Sequence, residues 1–169
     1  KQQYNAAINI YNTLIANKTD YALFSESWGN ALWQQKQFDT IIQFSDYKKL
    51  PVKQKDDWLL LRSRACIAIN NLVCAQSSLE RIVTNEDNKL DLLLGLAQIK
   101  IHQKAFSQAE DLLDKAQLIS PDNQAVNYIY GTLALEKKQA SNAIPYFLKI
   151  LEKDPTNTLV LRRLTDAYL

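Results

Sequence analysis

Few side chains in this sequence could carry out chemistry, and their spacing argues against a catalytic or metal site. His102 is the only histidine, so neither a histidine-dependent triad nor a site with several histidine ligands can form. Two cysteines eight residues apart, Cys66 and Cys74, do not make a zinc site. The three glycines are isolated and cannot form a phosphate-binding loop. We therefore expect no catalytic residues, no metal and no cofactor.

The two cysteines leave the redox environment open. In the repeat described below they lie on the two antiparallel helices of one copy, where a disulfide is feasible. Two small, partly buried thiols are the simpler interpretation, and it is the one that we adopt. The cysteines therefore do not decide the compartment.

Composition favours a helical protein and gives no sign of an anionic partner. The chain is 47% hydrophobic, with only three glycines and four prolines, which suits helices joined by short turns. Because 20 basic residues stand against 18 acidic ones, charge does not point to nucleic acid or to an anionic membrane. No uninterrupted apolar run approaches the roughly 18–20 residues that a membrane span needs. We expect no direct membrane span.

The sequence repeats with a period of 34 residues. One series of mostly small residues is Gly29, Ser63, Ala97, Gly131 and Thr165. A second such series, 12 residues after the first, contains Ile41, Ala75, Ala109 and Ala143, preceded by Ala7. A third, mostly bulky series is Tyr11, Ser45, Leu79, Leu113 and Phe147. A fixed period of this length predicts stacked supersecondary units, none of which can bury its apolar face alone.

The copy at 124–157 reads most clearly as two helices. Apolar residues at helical spacing run to a break at 137–139, and Ser141 or Asn142 is expected to cap the second helix. Pro155 should end that helix, whereas Pro145, near its start, should kink it mildly rather than break it.

The other copies follow the same pattern with one weak member. Helices are predicted near 90–103 and 107–119, and the internal turn of 56–89 at Asn70-Asn71. In 22–55, Ser45 and Lys48 occupy slots that are apolar elsewhere, so the second helix should end early, near Lys49. Arg62 stands where the other copies have Trp28, Leu96, Tyr130 and Leu164. Packing between the copies 22–55 and 56–89 is therefore the least certain.

These residues resemble the tetratricopeptide repeat family, whose unit places a large residue, a Gly-like residue, Ala, an aromatic and Pro at fixed offsets. The closest match is Tyr130-Gly131, Ala143, Phe147 and Pro155. The resemblance implies an all-α fold, a right-handed α-solenoid of stacked antiparallel helix pairs. It covers residues 1–169 as one solenoid: a half repeat at 1–21, repeats at 22–55, 56–89, 90–123 and 124–157, and a half repeat at 158–169.

Both ends of the chain lack the polar caps that solenoids normally carry. Residues 4–17 have the apolar stripe of a second helix, and 158–169 that of a first helix. We expect either that the chain is a segment of a longer, bacterial array or that its ends associate with other copies.

In this family the first helices of successive repeats line a concave groove, and the matching positions give the candidate binding residues. Two series of these positions are largely apolar and one is polar, a combination suited to an extended peptide or an amphipathic helix. Part of each series could instead pack against neighbouring helices, and this alternative stays open. The candidates are Asn30, Trp33, Leu60, Arg64, Ile67, Leu94, Gln98, Ile101, Tyr128, Thr132 and Leu135.

The resemblance therefore implies a non-catalytic scaffold that binds a protein or peptide and no nucleic acid. Two alternatives remain: an accessory segment that recruits substrate for a larger enzyme, and a bacterial envelope protein for pilus assembly or polysaccharide export. The location stays open between the cytoplasm and the bacterial periplasm or envelope.

Overall fold

The computed structural model describes residues 2–17, 19–82 and 89–168. All regular secondary structure in these ranges is helical, which confirms the all-α prediction. The α-helices are α1 (Gln2–Ala16), α2 (Ser25–Gln34), α3 (Phe38–Gln43), α4 (Val52–Ala68), α5 (Leu72–Leu79), α6 (Lys89–His102), α7 (Phe106–Ile119), α8 (Gln124–Glu136), α9 (Ala140–Lys153) and α10 (Thr158–Tyr168). Two short 3-10 helices span Tyr21–Leu23 and Asp46–Lys49.

The chain forms two compact units, residues 1–84 (unit 1) and 85–169 (unit 2). In unit 1, α2 contacts α1, α3 and α4, and α4 also contacts α3 and α5. In unit 2, α8 contacts α6, α7, α9 and α10, while α6 pairs with α7 and α9 packs on α10. Within each unit, helices therefore pack on their neighbours in sequence, and the first helices of successive hairpins also touch. This is the contact pattern of a helical repeat.

The turn inside each helical hairpin has the same backbone geometry at the 34-residue step. Among the residues that the structure describes, the non-glycine residues with positive φ are Lys36, Asn70, Lys104 and Lys138, with values between 56° and 58°. In each turn the next backbone N–H donates to the carbonyl five residues earlier, as Gln139 does to Ala134 at 2.9 Å. These are Schellman turns, which satisfy the last carbonyls of the first helix. The period seen in the sequence is thus also a period of backbone conformation.

The turns between hairpins of unit 2 use asparagine caps. The side chain of Asn123 accepts hydrogen bonds from the N–H groups of Ala125 and Val126 at the start of α8. Asn157, one period later, accepts from the N–H of Val160 at the start of α10. Each asparagine follows a proline, so proline ends one helix and asparagine begins the next.

The predicted cap of α9 is wrong. Ser141 and Asn142 lie inside α9, and the cap residue is Gln139, whose side chain makes no capping hydrogen bond. The Schellman turn at Lys138 brings the chain directly into the helix, which leaves no room for a separate side-chain cap. As predicted, Pro145 does not break the helix, since α9 continues through it to Lys153.

Aliphatic residues and alanines fill the core of unit 2. Leu113, Phe147, Ala109 and Ala143 are all fully buried. Gly131 faces Phe147 so closely that a Cβ on the glycine would lie 2.6 Å from the ring. The small residue at position 131 therefore makes room for the aromatic ring on the partner helix.

A hydrogen bond joins α7 to α8 at the edge of this core. The Tyr130 hydroxyl donates to Asp114 Oδ1 at 2.5 Å, and its ring stacks on Tyr146 with centroids 5.0 Å apart. Burial and this bond together raise the pKa of Tyr130 above its ordinary value of 10.0. The phenol therefore stays neutral well into alkaline conditions.

Unit 1 is built around aromatic rings. Trp28 of α2 stacks on Trp58 of α4 at 5.3 Å, and Phe44 packs edge-on against Trp28 at 5.0 Å. Gly29 makes room for this contact, since a Cβ there would lie 2.7 Å from Leu61. The two helices meet through large rings rather than through the small aliphatic residues of unit 2.

Polar contacts replace apolar packing around Arg62 in α4. Its Nε donates to the carbonyl of Ile42 at 3.0 Å, and its Nη1 donates to Ser78 Oγ at 2.7 Å. Ser78 is fully buried and donates in turn to the carbonyl of Cys74. Arg62 thus links α3 to α5, although it occupies a slot that is mostly apolar in the other repeats.

The second helix of repeat 22–55 ends even earlier than predicted. It stops at Gln43 instead of near Lys49, and a 3-10 helix at Asp46–Lys49 follows. This helix buries Tyr47 while Ser45 remains exposed. Tyr21 donates to Asp46 at 2.9 Å, and Lys49 lies 2.8 Å from the same carboxylate. The bonds from Lys49 and Tyr21 hold the pKa of Asp46 below its usual range.

The prediction that both cysteines are thiols is wrong. Cys66 near the end of α4 and Cys74 in α5 form a disulfide, with their Cα atoms 5.7 Å apart. The hairpin turn between them brings the two backbones within bonding range, which spacing along the sequence could not establish.

We predict that Leu113→Ala lowers the free energy of unfolding by about 2–5 kcal/mol, because it opens a cavity in a fully buried site. Leu118→Ala, in the same helix, is the matched control, since Leu118 is 85% exposed and its loss should cost less than about 0.5 kcal/mol. Urea unfolding measures both. Equal losses for the two variants would contradict the packing described for α7.

Lys138→Gly should raise the free energy of unfolding by about 0.5–1 kcal/mol. Glycine relieves the strain of a left-handed residue, and its greater freedom in the unfolded chain offsets only part of this gain. Lys138→Ala removes the same charge but keeps the strain, so it should not stabilise. Thermal unfolding of the two variants side by side distinguishes backbone strain from charge.

Tyr130→Phe should cost about 1 kcal/mol near pH 7, the usual contribution of one hydrogen bond. Because the folded-state pKa of Tyr130 is raised, its contribution is complete below pH 10 and is lost as the pH rises above that value. The stability difference between wild type and variant should therefore shrink between pH 10 and 12 in urea titrations. A constant difference across this range would show that Tyr130 ionises as freely in the folded state as in the unfolded chain.

Candidate functional site

The eleven candidate residues all lie on the first helices of hairpins, and we call them the first-helix surface. In unit 1, α2 carries Asn30 and Trp33, and α4 carries Leu60, Arg64 and Ile67. In unit 2, α6 carries Leu94, Gln98 and Ile101, and α8 carries Tyr128, Thr132 and Leu135. On α4, α6 and α8 the members are spaced i, i+4 and i+7, which places them on one side of the helix.

Burial separates this surface into two classes. Leu60, Leu94 and Ile101 are only 8%, 7% and 5% exposed, and in unit 2 the latter two pack in the same core as Val126 and Leu133. These three take the alternative role that the sequence left open, packing against neighbouring helices. The remaining eight keep accessible surface, either half-buried or exposed.

The accessible part of unit 2 is organised around Tyr128. Its ring packs against the cores on both sides of α8 and lies 6.1 Å from the ring of Phe147. Its hydroxyl accepts a hydrogen bond from Arg163 Nε of α10 at 3.4 Å, and its carbonyl accepts one from the Thr132 hydroxyl at 2.9 Å. Tyr128 is thus held by contacts with α9 and α10, while part of its side chain stays accessible to solvent.

Arg163 brings positive charge to this part of the surface, and sequence reasoning missed it. Its side chain is 41% exposed, and its guanidinium lies 3.7 Å from the carboxylate of Asp166, a long distance for an ion pair. The hydrogen bond with Tyr128 raises the pKa of Arg163 further above its ordinary value. The 34-residue register pointed to its neighbour Arg162, which is exposed. Only the packing of α10 on α8 shows which of the two arginines meets Tyr128.

The corresponding part of unit 1 lies on α2 and α4. Trp33 is half-buried and its ring lies 5.2 Å from that of Phe38 in the next helix. Asn30 and Arg64 are exposed, and Ile67 is half-buried. An amide, a guanidinium and two apolar side chains are therefore accessible on α2 and α4.

A shallow depression of about 420 Å³ lies elsewhere on unit 2, at the end of α7. Asp114, Gln117, Leu118 and Pro121 line it, and none of them belongs to the first-helix surface. The structure therefore does not join this depression to the candidate residues.

The described residues hold no arrangement suited to metal chemistry. Within the ranges 2–17, 19–82 and 89–168, no three histidine, cysteine, aspartate or glutamate side chains converge on one point. His102 is exposed and both cysteines are bonded to each other. Over the same ranges, no helix combines the length and the apolar character that crossing a bilayer requires.

Comparison with known proteins identifies the repeat. A family profile described as tetratricopeptide repeat matches residues 70–131, from the turn before α5 into α8. No curated protein matches the chain significantly. Proteins of this repeat family are generally non-catalytic, and they typically bind proteins or peptides as interaction scaffolds. The profile match over residues 70–131, the 34-residue period of helices and turns, and the contacts between successive first helices within each unit all support a tetratricopeptide repeat protein.

Proposed function

We propose that this protein is a non-catalytic scaffold that binds a peptide or an amphipathic helix along its first-helix surface. The observation that carries the proposal is the equivalent placement of accessible side chains on successive first helices in each unit. Within unit 2, Gln98 on α6 and Thr132 on α8 differ by one period, and both remain half-buried on helices that touch. A ligand lying across these helices would meet the same kind of contact at each step.

The chemistry of the accessible residues suits a polypeptide. Tyr128 and Leu135 offer apolar area, and aromatic residues are enriched among the side chains that dominate binding energy. Gln98 and Thr132 can exchange hydrogen bonds with a backbone or with polar side chains. The buried Leu94 and Ile101 would contribute indirectly, by fixing the helices that present their neighbours.

The structure also decides which substitutions test this surface. A charge at Leu94 would enter the core, so loss of binding could reflect unfolding. Gln98→Glu with Thr132→Glu instead alters two accessible residues of unit 2. Gln108→Glu with Leu118→Glu, at exposed positions of α7, makes the same change of two charges away from the first-helix surface.

We expect the Gln98→Glu/Thr132→Glu variant to bind selected peptides at least about tenfold more weakly, which corresponds to roughly 1.4 kcal/mol. The peptides are obtained by selecting a displayed library of random 12-residue sequences on the wild-type protein, and affinities are measured by calorimetry. The α7 variant should bind within about twofold of wild type, because α7 lies outside the proposed surface.

Two results would count against the proposal, provided that circular dichroism shows both variants folded. One is equal binding by wild type and the Gln98→Glu/Thr132→Glu variant. The other is a library selection that enriches no peptide over an unrelated helical protein.

A further inference from the structure

The disulfide makes one helical hairpin chemically different from the others. Cys66 and Cys74 are the only cysteines in the chain, and they join α4 to α5 across the turn at Asn70 and Asn71. In unit 2 the positions one and two periods later hold Lys100 with Gln108 and Ala134 with Asn142. Those hairpins are held by packing and by their turns, without a covalent link.

The cross-linked hairpin also has a shorter second helix than the two hairpins of unit 2. Helix α5 has 8 residues, against 14 each for α7 and α9. A shorter helix buries less apolar surface on its partner and so gains less from packing. The turn at Asn70 is the same as in the other hairpins, so the turn does not compensate for the missing length.

The packing of α5 on α4 also includes a polar contact. Arg62 reaches Ser78 at 2.7 Å, and Ser78 is fully buried and donates to the carbonyl of Cys74 at 2.8 Å. If α5 moves away from α4, the Arg62–Ser78 hydrogen bond breaks, while Arg62 keeps the carbonyl of Ile42 and Ser78 keeps the carbonyl of Cys74 in its own helix. A hydrogen bond from a charged group is among the stronger ones, so its loss weakens the attachment of α5 to α4.

We propose that the Cys66–Cys74 disulfide is a redox-sensitive clasp for the α4–α5 hairpin. In the oxidised protein it holds α5 on α4 and keeps the Arg62–Ser78 contact in place. In the reduced protein α5 opens locally, while unit 2, which contains no cysteine, keeps its structure. Cys66 lies between Arg64 and Ile67 of the first-helix surface, so the redox state would also reach the binding residues of unit 1. This last consequence alone rests on the proposed function.

A dithiol reductant would open the clasp through Cys74. Cys66 is fully buried, whereas Cys74 is half-buried, so the attacking thiolate reaches the sulfur of Cys74. The bond between the two protein sulfurs breaks, and Cys66 leaves as a thiolate that takes up a proton. The second thiol of the reductant then attacks the mixed disulfide and releases Cys74. Two electrons and two protons pass to the protein, and the reductant becomes a disulfide.

Hydrogen exchange of the whole chain, with and without dithiothreitol, tests the clasp. Reduction should accelerate exchange of the backbone amides of α5 by about tenfold or more, because a closed loop restricts the open state. Amides of α7 and α9 should change by less than about twofold. The Cys66→Ala/Cys74→Ala variant should show fast exchange in α5 whether or not dithiothreitol is present.

A matched pair of cysteines separates the clasp from the general effect of a cross-link. Ala134→Cys with Asn142→Cys places cysteines two periods after Cys66 and Cys74, and the background carries alanine at positions 66 and 74. Because α9 is long and well packed, reducing this engineered disulfide should change exchange in α9 by less than about threefold.

Three results would overturn the proposal. They are unchanged exchange in α5 on reduction of the wild-type protein, equal acceleration in both units, and rapid alkylation of both cysteines in the folded, unreduced chain. None of these depends on a binding partner, so they leave the proposed function standing. Failure of peptide binding would in turn leave the clasp standing.

Discussion

The fold depends on one constraint: a single helical hairpin cannot bury its own apolar surface. Helix α8 shows how the constraint is met, since it contacts α6 and α7 on one side and α9 and α10 on the other. Val126 and Leu133 of this helix are almost completely buried, and no single hairpin would cover them. Helix α8 is therefore stabilised by the hairpin before it and by α10 after it, which makes the stability of the repeats within unit 2 interdependent.

The geometry of the turns keeps successive hairpins equivalent. Lysine occupies the left-handed position in three of the four Schellman turns of the described residues, although glycine or asparagine fits it better. The conformational strain of these lysines costs little compared with the helix packing that the turns allow. Each turn directs the second helix of its hairpin in the same way. Between the hairpins of unit 2, a proline follows the end of one helix and an asparagine side chain caps the start of the next.

The two units satisfy the same architecture with different side chains. Unit 2 buries aliphatic residues and alanines together with the rings of Tyr130 and Phe147, the latter against Gly131. Unit 1 uses stacked tryptophans, a partly buried hydrogen-bond network around Arg62 and a disulfide. Aromatic and polar contacts need more precise geometry than aliphatic ones, because a misplaced ring or an unpaired hydroxyl costs free energy that a misplaced methyl group does not. Unit 1, whose sequence departs from the repeat pattern at Arg62, is thus also the unit that is held by aromatic contacts, polar contacts and a disulfide.

The sequence by itself determined the helical class, the period and most helix boundaries, because these follow from local spacing, turn residues and prolines. It placed the hairpin breaks at Asn70-Asn71 and at 137–139 correctly for that reason. It could not decide which first-helix residues are buried, since Leu94 and Tyr128 occupy equivalent positions, yet Leu94 is buried and Tyr128 is only half-buried. Nor could it show that Arg163 meets Tyr128, that α3 stops at Gln43, or that Cys66 bonds to Cys74. Those outcomes depend on distances between different helices, and only the tertiary structure sets them.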